Sequence, residues 1–180
     1  MARVIGHLAN HRGLWTGDCP SGTQGLRTAV AQLRRYRPQD KAAVLGLLPV
    51  VGQRYPAGLS WLDKRLDGVR DGKASCLLAA TEDGQPVGVA IETPKGRGRA
   101  KLSTLWVTET HRGRGVGSSM LNWLTTSWVR RDIADVWVTT DLEFCDDLRP
   151  SIERFGFEPI GLATGKYSPD RTEIVYGWNI

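Results

Sequence analysis

Between Leu102 and Val129 an apolar run, a glycine-rich turn and an amphipathic run follow one another, and that succession limits what the chain can fold into more than any other feature. Leu102 to Val107 is rich in aliphatic and aromatic residues, Arg112-Gly113-Arg114-Gly115-Val116-Gly117-Ser118 is the turn, and from Val116 to Val129 apolar residues recur at helical spacing. The pattern predicts strand, loop, helix. The loop is then also a helix N-terminus, whose first N–H groups lack intrahelical partners and carry partial positive charge. Glycines at 113, 115 and 117 let those amides curl around an anion with no Cβ in the way, and Arg112 and Arg114 add donors that suit phosphate oxygens. The predicted ligand is a pyrophosphate.

Two common nucleotide sites do not fit. The spacing is not Gly-x-Gly-x-x-Gly, no acidic residue closes a second strand of a βαβ unit, and there is no P-loop Gly-Lys-Ser/Thr. A nucleotide carried by coenzyme A suits the loop better. Arg112-x-x-Gly115-x-Gly117, following a strand that ends in Leu105-Trp106-Val107 and opening a helix, resembles the acyl-CoA signature of the GNAT superfamily of N-acyltransferases. Phe155-Gly156-Phe157 resembles the Gly-Phe that closes that family's fourth helix, and the order of elements from about Val30 to Trp178 fits as well.

The resemblance implies an α/β (α+β) fold: a mixed, mostly antiparallel twisted sheet of about six to seven strands, split centrally, with about four helices on both faces. It implies acetyl-CoA as acyl donor and the primary amine of a small molecule or peptide as acceptor, attacking the thioester directly. The acyl-pantetheine arm would enter the split between the central strand and the strand from Val136 to Thr140, pairing with the main chain around Leu105, Trp106 and Val107. Arg112, Gly113, Arg114, Gly115, Val116, Gly117 and Ser118 would hold the pyrophosphate. The helical pair after the first strand would wall the acceptor pocket, bringing Tyr36, Tyr55 and Trp61 within reach of substrate.

The proton-transfer groups follow the family less well. Members often carry an acid on the central strand where this chain has Lys101, a tyrosine where it has Ile152, and an asparagine where it has Cys145. As substitutes the sequence offers Glu92, able to deprotonate the amine through water, and Tyr167, able to protonate the thiolate. Each also reads as an ordinary surface residue, and a catalyst that only positions its substrates needs neither. The three departures equally suit a non-catalytic acyl-CoA-binding or regulatory module, and the basic charge suits a toxin that acetylates aminoacyl-tRNA. Cys145 lacks a histidine partner and lies beside Asp146 and Asp147, which disfavour a thiolate. If members of the group Asp141, Glu143, Asp146 and Asp147 face the pocket, they favour a cationic amine such as a polyamine or amino sugar; otherwise they form a solvated helix start.

Bulk properties set the frame. At 180 residues and 41% apolar, the chain suits one domain, here 27–180, preceded by a flexible or irregular extension over 1–26. No apolar run reaches about eighteen residues and no secretory signal is visible, so neither a membrane nor export is expected. Cys19, Cys76 and Cys145 are odd in number and without metal-ligand spacing, and His7, His11 and His111 do not cluster; this suits a reducing cytoplasm and no metal. The net charge of +5 suggests an anionic partner; much of the excess, at Lys95, Arg97, Arg99, Lys101, Arg112 and Arg114, would serve coenzyme A, and the rest is solvated surface. No nucleic-acid motif accompanies the charge, so nucleic acid is not the expected partner. A homodimer is compatible with the sequence.

The flanking segments predict a first strand from Thr28 to Tyr36, a helix opened at Pro38 and ended by Pro49, and a second helix capped by Ser60. Ser75 to Thr81 and Pro86 to Thr93 form a hairpin across Asp83-Gly84. Leu102 to Val107 reads as a strand covered on both faces. After a strand from Ala134 to Thr140, Phe144, Leu148, Ile152 and Phe155 share a helical face that Pro150 must kink or begin, and Glu158 to Ala163 and Arg171 to Trp178 complete the sheet.

Overall fold

Runs of small and branched apolar residues, punctuated by turn formers, lay out the sheet. Ser75–Ala80 (β2) and Pro86–Pro94 (β3) are almost wholly buried and pair antiparallel. Their turn closes with the Gly84 N–H on the Thr81 carbonyl at 2.9 Å, and Gly84 takes a φ of 80° that a side chain would resist. The structure, a computed structural model, describes residues 31–55, 57–166 and 170–179. The extension, residues 28–30 of the expected first strand and Tyr167 lie outside the described residues.

Gln32–Arg35 (β1), Arg99–Val107 (β4), Asp135–Asp141 (β5), Glu158–Thr164 (β6) and Thr172–Asn179 (β7) join the hairpin in a 7-stranded sheet of order β1-β2-β3-β4-β5-β7-β6. Every neighbouring pair is antiparallel except β4 and β5. Lys41–Leu47 (α1), Pro49–Arg54 (α2) and Gly58–Arg70 (α3) follow β1, Val116–Arg130 (α4) follows β4, and Cys145–Glu153 (α5) follows β5.

Successive side chains of a strand point to opposite faces, so a strand apolar throughout must be covered on both. Leu78, Val89 and Ile91 pack with Val44, Leu48, Leu62 and Leu66 of the α1–α3 layer. Leu77, Ala90, Leu102, Val136, Val138 and Tyr176 pack with Met120, Leu121, Leu124 and Trp128 of α4 on the other face. Each large aliphatic side chain buried this way contributes about 1.5–3 kcal/mol, which makes the two layers the main source of stability. Arg34 fastens β1 to the first helical turn through a double hydrogen bond to Asp40, at 2.7 and 2.8 Å.

Local differences from expectation have simple causes. Pro49 separates two helices rather than closing the helical region, because at the start of α2 its missing N–H costs nothing. α3 begins at Gly58, ahead of Ser60, where a Cβ would lie 2.2 Å from the Val51 carbonyl oxygen; only glycine permits α2 and α3 to approach so closely. Pro150 lies inside α5 on an exposed side, where water can reach the carbonyl that its ring leaves unbonded.

One feature of the sheet positions everything that follows. β4 pairs with β5 only where Arg99–Leu102 meets Asp135–Val138. On the other side of β4, Ile91 opposes Thr104 while Glu92 opposes Leu102, so Ser103 is an extra residue, a bulge that bends the strand. Past Ser103 the two strands part, and Thr139, Thr140 and Asp141 keep partners only on β7. Leu105, Trp106 and Val107 are consequently half-buried rather than enclosed on both faces.

Candidate active site

The loop after β4 arrives at α4 with two glycines in the left-handed region, Gly113 at φ 69° and Gly115 at φ 81°. A side chain at either would be strained, and the alternation of backbone hands turns successive amides toward one side. The first hydrogen bond of α4 runs from Ser119 N–H to the Gly115 carbonyl at 2.9 Å. Among the described residues, the amides of Gly113, Arg114, Gly115, Val116, Gly117 and Ser118 are not consumed by the protein's own acceptors. They form a group of donors at the positive end of a 15-residue helix, an arrangement that suits an anion.

Arg112 is used differently from Arg114. Its Nε donates to the Val107 carbonyl at 3.0 Å and its guanidinium lies 4.7 Å from the Trp106 ring centroid, so it fastens the loop back onto β4. Arg114 is exposed beside the free amides.

The direction of the β4 main chain follows from a single bond. Thr108 N–H donates to Val87 of β3 at 2.9 Å, and since alternate residues of a strand direct their N–H and C=O to opposite sides, Trp106 faces β3 while Leu105 and Val107 turn theirs into the split. Arg112 already takes the Val107 carbonyl on that side, leaving the Val107 N–H and both groups of Leu105 toward the gap. Side chains there pack ordinarily: Leu105 and Val107 toward α4, Trp106 toward the α1–α3 layer.

Glu92 is a buried residue and not an ordinary surface one. Its carboxylate is 1% exposed, at the closed end of the split opposite Leu102, and it accepts from Trp128 Nε1 at 2.6 Å and from both terminal nitrogens of Arg131 at 2.8 and 2.6 Å. Both oxygens are taken. Glu92 therefore anchors the C-terminal end of α4 to β3, with three of the roughly four acceptor sites of its carboxylate already used.

A second polar group lies at the open end of the split, on the α1–α3 face. Asp141 of β5 and Glu173 of β7 are cross-strand partners, both buried. Tyr55, between α2 and α3, donates its hydroxyl to Glu173 Oε1 at 3.1 Å. The Arg171 guanidinium lies 5.7 Å from the Tyr55 ring centroid, and its Nη1 is 3.7 Å from Asp141 Oδ2. Burial, then the charge of Glu173, push the Tyr55 hydroxyl up to about 12, so it remains a proton donor at neutral pH. Glu173 Oε2 and Arg171 Nη1 are buried without a hydrogen-bond partner among the described residues.

Of the acidic group anticipated here, Asp141 alone turns inward; Glu143, Asp146 and Asp147 are exposed around the start of α5. Tyr55 reaches the group, whereas Tyr36 and Trp61 pack against the α1–α3 layer. Arg171 and Glu173 were not singled out by sequence reasoning, although a signal existed. In Thr172–Asn179 both alternating faces are largely apolar, and a glutamate on such a strand must end up buried. On the opposite face the Tyr176 hydroxyl is likewise buried without a partner among the described residues.

No helix among the described residues is long and apolar enough to cross a membrane. The profile of the acetyltransferase (GNAT) family matches residues 47–157. No curated protein matches the chain in sequence. Among solved structures, ribosomal-protein-alanine N-acetyltransferase from Brucella melitensis is similar at 18% identity and a TM-score of 0.69, covering 82% of this chain and 99% of that one. Nourseothricin acetyltransferase aligns at 18% identity and 0.65, covering 83% and 98%. Aminoglycoside 6'-N-acetyltransferase complexed with coenzyme A aligns at 13% identity and 0.65, covering 82% and 96%. At these identities the structures speak for a shared fold alone.

Proposed function

Because the chain belongs to the GNAT acetyltransferase family, we propose that it is an acetyl-CoA-dependent N-acetyltransferase, moving an acetyl group to the primary amine of a small molecule or peptide by direct attack. The observation that carries this reading is the conjunction of uncommitted amides at the start of α4 with a sheet parted beyond Leu102 and Val138. The amides would take the diphosphate, and the main chain of Leu105 and Val107 would take the pantetheine arm as a substitute strand. Such an arm would lay the thioester in the split, beside backbone donors able to stabilise a developing oxyanion. Positioning of this kind alone supplies several kcal/mol, so activity does not depend on an acid at Lys101 or a tyrosine at Ile152.

Thiol release from acetyl-CoA, measured over a panel of primary amines, tests the reading. At least one amine is expected to raise the rate about tenfold or more above buffer. Intact acetyl-CoA binding with no release by any amine would instead leave a module that binds the thioester without transferring its acyl group.

A further inference from the structure

Resting on the acetyltransferase reading, we infer that Glu173 and Arg171 are the acceptor-selecting residues, and that the acceptor is a singly charged primary ammonium with a neutral oxygen, hydroxyl or carbonyl, close beside it. The inference starts from two orphaned atoms. Glu173 is 3% exposed; its Oε1 holds the Tyr55 hydroxyl, while its Oε2 is buried and has no donor among the described residues. A carboxylate oxygen left in that condition is costly, so a donor from water or from a ligand is expected to reach it. Arg171 Nη1 is the converse, a buried donor whose nearest carboxylate oxygen, on Asp141, is 3.7 Å away and too far to accept.

Charge decides what kind of ligand satisfies both. Asp141 offsets Arg171 and Tyr55 stays neutral, so these three residues and Glu173 carry one net negative charge between them. One ammonium cancels that charge and supplies the missing donor in a single charge-assisted bond. Arg171 Nη1 then needs an acceptor, and a neutral oxygen provides it without returning negative charge to a buried place. An amino acid would add a carboxylate beside Asp141, and a diamine would bring a second cation toward Arg171; both are disfavoured.

The placement is consistent with transfer. Glu173 and Asp141 lie where β5 has lost β4 as a neighbour, on the face that also carries Trp106. In the reaction the ammonium gives one proton to Glu173 and the neutral nitrogen attacks the thioester carbon. The C–N bond forms, the C–S bond breaks, the second nitrogen proton goes to the departing thiolate, and Glu173 returns its proton to water.

Steady-state kinetics with ethanolamine, ethylamine, glycine and putrescine, alongside acetyl-CoA calorimetry, test this. In the wild type ethanolamine is expected to have the highest kcat/KM. Glu173→Gln is expected to raise the ethanolamine KM about 30-fold or more and to lower kcat as well, since glutamine cannot take the proton, while acetyl-CoA affinity stays within about twofold. Arg171→Met should erase the preference for ethanolamine over ethylamine. Unchanged KM in Glu173→Gln, or a wild type that prefers glycine or putrescine, overturns the inference while normal acetyl-CoA binding leaves the underlying reading standing; a wild type that does not bind acetyl-CoA overturns both. Should Glu173→Gln not fold, carboxyl-carbon NMR of the wild type saturated with coenzyme A replaces it. Ethanolamine must then shift the Glu173 signal, and an unmoved signal overturns the inference.

Discussion

Gly117→Glu is expected to lower acetyl-CoA affinity about 100-fold or more, equivalent to about 2.7 kcal/mol, with the fold intact. Gly117 is in the first turn of α4 and, unlike Gly113 and Gly115, does not use a positive φ. A Cβ added there meets only Val107 Cγ2 at 3.8 Å, an ordinary contact. A glutamate at this end of a helix is favoured by the dipole, by about 0.3–1 kcal/mol, so thermal stability should hold or rise slightly. The same carboxylate would place a negative charge among the amides assigned to the diphosphate. Gly117→Ala serves as the control and should bind within a few-fold of wild type. Calorimetric titration of both variants measures the effect, and normal binding by Gly117→Glu would mean that the diphosphate lies elsewhere.

The largest loss of stability is expected around Glu92. Replacing Arg131 by Met leaves the Glu92 carboxylate in the core with Trp128 as its remaining partner. Stranding a fully buried charge costs about 3–5 kcal/mol; because the Arg131 side chain is 41% exposed, water will recover part of that, and about 2–3 kcal/mol is expected by denaturant unfolding. Glu92→Gln keeps an acceptor for Trp128 but turns a neutral amide toward the guanidinium, for a loss of about 1–3 kcal/mol. The kinetic outcome separates anchor from base. If Glu92 only secures α4 against β3, folded Glu92→Gln keeps kcat within a few-fold of wild type. A drop of about 100-fold in the folded protein would restore Glu92 as the base.

What the sequence revealed and what it withheld divide along the range of the interactions involved. The loop from Arg112 to Ser118 was legible because its signals are local: glycine spacing, flanking periodicity, and a helix that begins where the glycines end. The two-layer core was legible for the same reason, since runs such as those in β2 and β3 cannot be buried on one face only. The bulge at Ser103 was not, because it depends on how β3 registers against β4, which no local pattern records. Glu92 could be recognised as unusual but not interpreted, since its partners Trp128 and Arg131 reach it only once α4 has folded back across the sheet. Tyr55 and Glu173 are 118 residues apart, and their meeting depends on β7 inserting between β5 and β6. Pro49 misled because the feature that ends one helix also suits the start of another.

The central claim is that the amides opening α4 hold the diphosphate of acetyl-CoA while its arm lies in the gap between β4 and β5. A crystal structure of the protein with acetyl-CoA tests it most directly. The expected result places diphosphate oxygens about 3 Å from amides between Gly113 and Ser118, with the pantetheine amide groups bonded to Leu105 and Val107. Diphosphate bound away from those amides, or β4 and β5 joined beyond Leu102 and Val138 with the arm outside the sheet, would contradict it.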